Sequence, residues 1–218
     1  MGVNDGILSV ARERLAAESR AVQAVADMLD ETFIATASLI LSCRGKLFIG
    51  GSGTSGTVAR RMAHILSVSG TPSIAFSPMD SLHGWSGAIE SSDLVLLISK
   101  GGASDEVVSS ARIAQQRGAK VISLTAGHGT PLAQIADLSV VVTVATQAEL
   151  GGIVATGITM AQSAWGDALA EVLMRGRGYT WSEFMTTHPA GAVGQLSDLP
   201  PDPEPLAVPV VVERAAQR

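Results

Sequence analysis

From residue 8 to residue 43, apolar side chains return at helical intervals. Val22, Val25, Leu29, Phe33 and Ile40 step by three, four or seven and make one stripe, which predicts helix throughout. The texture then changes. KLFIG (46–50), PSIAF (72–76), DLVLLIS (93–99), AKVISLT (119–125) and LSVVVTV (138–144) are short runs rich in Val, Ile and Leu, apolar on both faces as buried parallel strands are. Between them lie helix-period sets: Val58, Met62, Ile65 and Leu66 in one interval, and Val107, Val108, Ala111 and Ala114 in another. Strands alternating with helices predict an α/β chain, a parallel sheet with helices on both faces.

A long helix is predicted over 151–175, where Val154, Ile158, Ala161, Trp165, Ala168 and Val172 step by four and three, with Gly176 and Gly178 as stops. A short helix is expected at 180–186. After Leu199 the composition shifts: PPDPEPLAVP holds five of the nine prolines (Pro200, Pro201, Pro203, Pro205 and Pro209), which excludes regular helix and central strand. An extended tail is expected, whose VPVVVE segment could pair with a sheet edge or another subunit, or form a flexible terminus. The chain thus divides into an N-terminal helical segment (1–43), a core domain (44–197) and a Pro-rich tail (198–218). No internal repeat at a solenoid period is evident.

With 218 residues, 46% of them hydrophobic, the chain can bury one sizeable core. Aromatics make up only 4%, which suits close helix–sheet packing better than an aromatic-rich sandwich. A net charge of −5 gives no basic footprint for nucleic acid. The four histidines are scattered, so no metal site is expected. Cys43 is the sole cysteine, which excludes an intramolecular disulfide, fits a reducing compartment and reads as a small buried apolar residue. Asp5, Arg12, Glu13 and Arg14 interrupt any N-terminal apolar run, so no secretory signal is expected. No apolar stretch approaches the roughly 20 residues of a membrane span. The expectation is a soluble, cytoplasmic protein with no membrane partner.

The loop GGSGTSG (50–56) sits between a predicted strand and helix. Its GSGTSG portion fits G-x-G-x-x-G, so a dinucleotide turn is one reading. That reading also wants an acidic residue closing the second strand, but PSIAF runs into Ser77 and Pro78, and Asp80 comes late. The pattern recurs as SKGGASDE (99–106), and again as Thr125, Gly127, Gly129 and Thr130. In a parallel sheet such loops open at the carboxyl edge, where ligands bind. Free N–H groups at helix starts favour anions, and hydroxyls add donors without charge. A phosphomonoester is the expected guest, although any one of these loops alone is also an ordinary tight βα turn.

Four segments carry a family likeness: CRGKLFIGGSGTSG, SGTPSIAFSPMDSLHGW, SDLVLLISKGGASDEV, and GDALAEVLMRGRGYTWSEFMTTHPAGAVG with its His-Pro-x-Gly-x-x-Gly ending. From about Cys43 to Gly194 the chain resembles the SIS (sugar isomerase) domain, and within it the arabinose-5-phosphate isomerases. The resemblance implies a three-layer α/β/α fold with a five-stranded parallel sheet, flavodoxin-like or Rossmann-like, preceded by helices. It implies a sugar phosphate as the small-molecule partner, interconversion of an aldose phosphate and a ketose phosphate without a cofactor, and a homodimer or homotetramer with sites near subunit interfaces. Many such isomerases carry two further nucleotide-sensing CBS modules, which a chain ending at 218 is expected to lack.

Isomerisation through an enediol needs a base near C1 and C2, a partner for the oxygens and a grip on the phosphate. Carried over by position, Glu106 and His188 match the family's acid–base residues. Glu106 would shuttle the proton, and His188 would assist ring-opening or act as the partner of Glu106, in its own site or a neighbour's. Each has a plainer alternative: Glu106 as a helix-start cap, His188 as an anchor of the C-terminal turn. His83, in the His-Gly turn, is a further candidate or an inert loop residue. The first loop offers Ser52, Gly53, Thr54 and Ser55 to the substrate, the second Ser99, Gly101, Gly102 and Ser104, and the third Thr125.

Two departures stand out. Thr54 lies where the family has lysine, and Gln147 where it has a second glutamate. The usual Ser-Asn-Ser-Gly-Glu-Ser becomes Ser99-Lys100-Gly101-Gly102-Ala103-Ser104, losing a hydroxyl and gaining a cation. In one account Lys100 replaces the missing charge, Glu149 replaces the missing carboxylate, and the enzyme acts on a different phosphosugar. In the other, catalysis has decayed and the domain is a non-catalytic phosphosugar sensor. The plain alternatives are surface solvation for Lys100 and helix capping for Glu149. The active isomerase is the working expectation.

Overall fold

A computed structural model of the chain describes residues 3–209. Two helices, α1 (Val3–Ala24) and α2 (Glu31–Ser42), precede a sheet of five strands: β1 (Leu47–Gly51), β2 (Ser73–Phe76), β3 (Leu94–Ile98), β4 (Lys120–Thr125) and β5 (Leu138–Val141). Every strand pairing is parallel, and the order across the sheet is β2-β1-β3-β4-β5. Helix α3 (Gly53–Val68) follows β1, the short α4 (Pro78–Ser81) follows β2, α5 (Asp105–Gln116) follows β3 and α6 (Pro131–Ile135) follows β4. Helices α7 (Gly157–Arg177) and α8 (Trp181–Thr186) close the fold.

Alternate strand positions point to opposite faces of a sheet, and both faces here are covered. Ile49, Leu96, Ile98, Ile122 and Leu124 share one core with Met62 and Leu66 of α3, Phe33 and Ile40 of α2, and Trp165 and Leu169 of α7. Phe48, Val95, Leu97 and Val121 share the other with Val107, Ala111 and Ala114 of α5. This two-sided burial explains why the central strands read as unbroken apolar runs. It also places α3 and α5 on opposite faces. From β1 the chain crosses one way to β2, and from β3 the other way to β4, so the β1 and β3 loops part at the carboxyl edge and leave a crevice.

Three element boundaries differ from the sequence expectation. The helix expected over 8–43 is two helices. The break comes where Leu29 turns extended and the Asp30 carboxylate accepts the Thr32 N–H at 2.8 Å, capping a new helix. Helix α7 starts at Gly157 rather than 151, because Gly151 and Gly152 adopt φ of 61° and 72° and Leu150 bridges back to Val154. It runs through Gly176 and stops at Gly178, whose φ is 63°. The fifth strand ends at Val141, three residues before the predicted limit of 144.

The described part of the Pro-rich tail is extended, and it lies along helices rather than a sheet edge. Leu206 N–H donates to the Arg175 carbonyl at 3.2 Å, Arg175 Nε to the Glu204 carbonyl at 2.8 Å, and Trp181 Nε1 to the Pro201 carbonyl at 3.0 Å. Ser38 Oγ donates to the Pro209 carbonyl. Of the VPVVVE segment, only Val208 and Pro209 fall within the described residues. No helix among those residues is long and apolar enough to cross a membrane.

Trp165 is fully buried and meets Phe33 edge-on at 5.7 Å, joining α7 to α2 across the first core. Replacing it by alanine removes a large aromatic and leaves a cavity that the surrounding helices and strands cannot fill. Trp165→Ala is expected to cost about 3–5 kcal/mol, read as a lower urea midpoint in equilibrium unfolding.

Candidate functional site

At the crevice, β1 passes unusually close to its neighbours. A Cβ on Gly51 would lie 2.8 Å from the Ser55 carbonyl group and 2.9 Å from the Ile98 carbonyl oxygen, so only glycine fits there. The next glycine, Gly53, takes φ +57° and turns the chain into α3. The result is an open cleft of about 470 Å³, within the range of roughly 300–1,000 Å³ usual for small-molecule sites. It is lined by Gly51, Ser52, Gly53, Gly56 and Arg60 from the first loop and α3, by Ala75 to Ser77 and Met79 beyond β2, and by Glu106 from the first turn of α5.

The two helices that begin at this crevice are capped unlike most of the others. Asp30, Thr130 and Thr180 each accept a backbone N–H from the first turn of α2, α6 and α8. Ser52 and Ser104 stand at the corresponding positions of α3 and α5, and neither hydroxyl takes a bond from its own helix. The leading N–H groups of both helices also have no partner within the helix. These donors, together with the positive ends of two helix dipoles, suit an anion. The charged side chains lining the cleft are Arg60 and the half-buried Glu106, and neither has an ion-pair or side-chain hydrogen-bond partner among the described residues.

Of the residues expected at a site, Ser52, Gly53 and Glu106 are brought together here. Thr54 and Ser55 belong to the same turn but do not line the cleft; Thr54 is exposed and Ser55 buried. The second and third loops are largely occupied by bonds within themselves and between them. Ser99 Oγ accepts the Gly102 N–H at 3.1 Å, Thr125 Oγ1 donates to the Gly127 carbonyl at 3.0 Å, and a Cβ on Gly102 would overlap the Thr130 side chain. Gly101 is exposed and Ser104 half-buried, outside the cleft lining.

Lys100 and Glu149 are bound to one another. Lys100 Nζ lies 2.6 Å from Glu149 Oε1. The other carboxylate oxygen accepts the Thr156 N–H at 2.8 Å and the Ile158 N–H at 3.4 Å, at the start of α7. The pair is therefore a latch between the β3 loop and α7, with both charges already compensated. Burial pushes the Glu149 carboxyl up, but the Lys100 bond and the Ile158 and Thr156 N–H groups outweigh it and hold it below the ordinary glutamate value.

Gln147, His83 and His188 lie outside the cleft of their own chain. Gln147 is exposed, accepts Arg14 Nη2 on its carbonyl at 2.6 Å, and lines a separate groove of about 360 Å³ between α1 and the segment after β5. His83 is exposed in the turn after α4. His188 stacks on Phe184 at 3.8 Å, with Nδ1 2.9 Å from the Phe184 carbonyl oxygen. Arg60 is the cleft residue that sequence reasoning misses. Its signal is its place one helical turn after Gly56, which sets it on the same face as the glycine loop. Among the described residues, no group of three His, Cys, Asp or Glu side chains is arranged to hold a metal.

The model of the SIS domain matches residues 40–172. The chain belongs to the SIS domain family. This SIS domain is 31% identical over 195 residues to the arabinose 5-phosphate isomerase KdsD of Pseudomonas aeruginosa, an alignment covering 89% of the chain and 60% of that protein. It is 30% identical over 192 residues to the arabinose 5-phosphate isomerase GutQ of Salmonella typhi, covering 88% and 60%. The chain thus spans less than two thirds of the length of these relatives. Among solved structures, an Escherichia coli CFT073 protein in complex with arabinose 5-phosphate superposes with a TM-score of 0.82 at 30% identity, over 87% of this chain and all of that one.

The latch gives this SIS domain a defined acid response. A carboxyl depressed on folding contributes stability that is fully present above its unfolded value, about 4.3, and lost as pH falls through its lower folded value. Lys100→Met removes a compensating charge and leaves the carboxylate buried, at an expected cost of about 1–3 kcal/mol at neutral pH. The gap between wild type and Lys100→Met should narrow from pH 6 to pH 3 as the carboxyl protonates, measured by urea unfolding at each pH. A gap independent of pH would contradict the latch.

Proposed function

We propose that this chain is a phosphosugar isomerase, interconverting an aldose phosphate and a ketose phosphate through an enediol, with arabinose 5-phosphate and ribulose 5-phosphate the first pair to test. The observation that carries the reading is Glu106: an unpaired carboxylate at the mouth of a small-molecule cleft whose two flanking helices begin with uncapped serines. Its relatives' names and the arabinose 5-phosphate complex of a similar structure support the substrate class.

In this mechanism the open-chain sugar lies with C1 and C2 within hydrogen-bond reach of Glu106, about 2.6–3.2 Å. Glu106 takes the proton from one carbon and returns it to the other. Charge developing on the carbonyl oxygen is met by backbone N–H donors already oriented by the fold, so little reorganisation is needed as the proton moves. His188, which stands away from its own chain's cleft, is assigned to the ring-opening step in the site of an adjacent subunit. The homodimer or homotetramer this requires would cover the apolar face of α1, where Ile7, Val10 and Leu15 are 63%, 69% and 66% exposed.

The second reading, a phosphosugar sensor without turnover, is favoured by Thr54, by Gln147 facing α1, and by the mutual pairing of Lys100 and Glu149. One experiment separates the two. The protein is incubated with a panel of pentose and hexose phosphates in deuterated water, and exchange at C1 and C2 is followed by NMR. Exchange with at least one member, lowered at least a hundredfold by Glu106→Gln with binding retained, is expected of the isomerase. Ligand-induced thermal stabilisation without exchange would leave the sensor. Light scattering at micromolar concentration should give at least twice the chain mass, and a monomer would refute the shared site.

A further inference from the structure

We infer that the Pro-rich tail positions His188, holding it in the tautomer that carries its proton on Nδ1 and leaves Nε2 free to accept one. The inference rests on the ring-opening role proposed above for His188 and adds to it the residues that orient the ring. Helix α8 leads into His188, has only six residues, buries none of them and contributes nothing to either hydrophobic core. A helix this short gets little stability from its own backbone. Its capping box of Thr180 and Glu183 closes the first turn but is internal to the segment. The tail supplies an anchor outside it. Asp202 Oδ1 accepts the Trp181 N–H at 2.8 Å, and the Pro201 carbonyl accepts the Trp181 Nε1–H at 3.0 Å. Pro201 and Pro203 flank Asp202, and a following proline favours extended backbone at that position. Further along, the tail is tied to α7 through the Arg175 bonds and packs Val208 against the first core.

From Trp181 the contacts run on to His188. Trp181 meets Phe184 edge-on at 5.9 Å, and Phe184 stacks on His188 at 3.8 Å with 18° between the rings. Residues three and four apart share one helical face, so fixing the first ring limits the next. His188 Nδ1 lies 2.9 Å from the Phe184 carbonyl oxygen, which can only accept. Thr187 Oγ1 lies 3.1 Å from the same nitrogen and donates its own proton to that carbonyl at 2.9 Å, so it too accepts. Both contacts place the proton of the neutral ring on Nδ1. A free histidine side chain in water favours the other form, with the proton on Nε2. The tail thus works against the solution preference, and Nε2 keeps its lone pair. In ring-opening Nε2 takes the proton of the anomeric hydroxyl, whose oxygen becomes the carbonyl oxygen. The bond from the anomeric carbon to the ring oxygen breaks, and the ring oxygen takes the proton back from Nε2.

The test uses the full chain with its histidines labelled with nitrogen-15, free of ligand, at about pH 8.5, above the ordinary imidazole range. Two-bond proton–nitrogen spectra report which ring nitrogen carries the proton, and His188→Gln assigns the signal. Wild-type His188 is expected in the Nδ1–H form. Trp181→Phe combined with Asp202→Ala keeps an aromatic ring but removes both tail bonds. It should move at least half of His188 to the Nε2–H form, with His64, His83 and His128 unchanged. Asp202→Asn keeps an acceptor oxygen and should retain the wild-type form. On a sugar phosphate that wild type turns over, the double variant should lower kcat at least fivefold with KM unchanged. Wild-type His188 in the Nε2–H form, an unshifted His188 in the double variant, or a shift shared by all four histidines would each overturn the inference. None of these touches the isomerase reading, because no sugar phosphate is present. A shifted tautomer with kcat unchanged also overturns it, because the nitrogen presented would not matter. If wild type exchanges no member of the sugar phosphate panel, the isomerase reading fails and the ring-opening role fails with it.

Discussion

The close passage of β1 past β3 and α3 at Gly51 is the constraint on which the rest depends. Three pieces of backbone meet within contact distance at one missing side chain. Any Cβ there would push the first turn of α3 off the strand end or separate β1 from β3. Once that contact is made, the remaining geometry follows from topology. α3 is committed to one face, α5 to the other, and residues from the starts of both helices line one open cleft. A candidate ligand site thus arises from a packing requirement, since the residue that permits the contact also exposes the backbone donors beside it.

Charge is distributed around this gap in two ways. Arg61–Asp167 is nearly half exposed on both partners, and such pairs are worth about 0–1 kcal/mol. Lys100–Glu149 differs because the carboxylate is only 4% exposed. There the attraction mainly cancels a desolvation cost, and the pair matters through what its loss would leave behind. Both pairs tie α7 to elements at the crevice, one through α3 and one through the β3 loop. They hold the walls while Arg60 and Glu106 remain uncommitted. A site whose ionic groups were all paired would have little left with which to discriminate among ligands.

The parts of the fold that were legible in the sequence are those set by local burial. LFIGG and LVLLI are buried at all five positions, so their strands stood out as runs with no polar interruption. The parts that were not legible depend on partners distant in sequence. Nothing in residues 151–156 announces that Glu149 will cap α7 from one side while holding Lys100 on the other, across 49 positions. The glycine loop was readable as a site because its glycines and hydroxyls are local. Gln147 and His188 were placed by similarity, which transfers a correspondence between chains but not a position in space. Arg60 escapes notice for the opposite reason: its spacing from Gly56 is visible, but an arginine on an amphipathic helix looks like any solvated face.

The proposed isomerase separates binding from chemistry, because the first loop opens α3 while Glu106 stands in the first turn of α5. On that proposal the helix-start donors near Ser52 and Ser104 receive the anion and Glu106 moves the proton, so either role could be lost without the other. A domain that only sensed a sugar phosphate would gain nothing from an unpaired carboxylate beside a dianion. The repulsion would lower affinity, and substitution by glutamine would remove it at no structural cost, since the side chain holds no other group in place. A carboxylate without a partner in such a cleft is an arrangement that binding a dianion alone would not favour. In the proposed isomerase proton transfer would account for it, because a base must be free of partners to accept a proton.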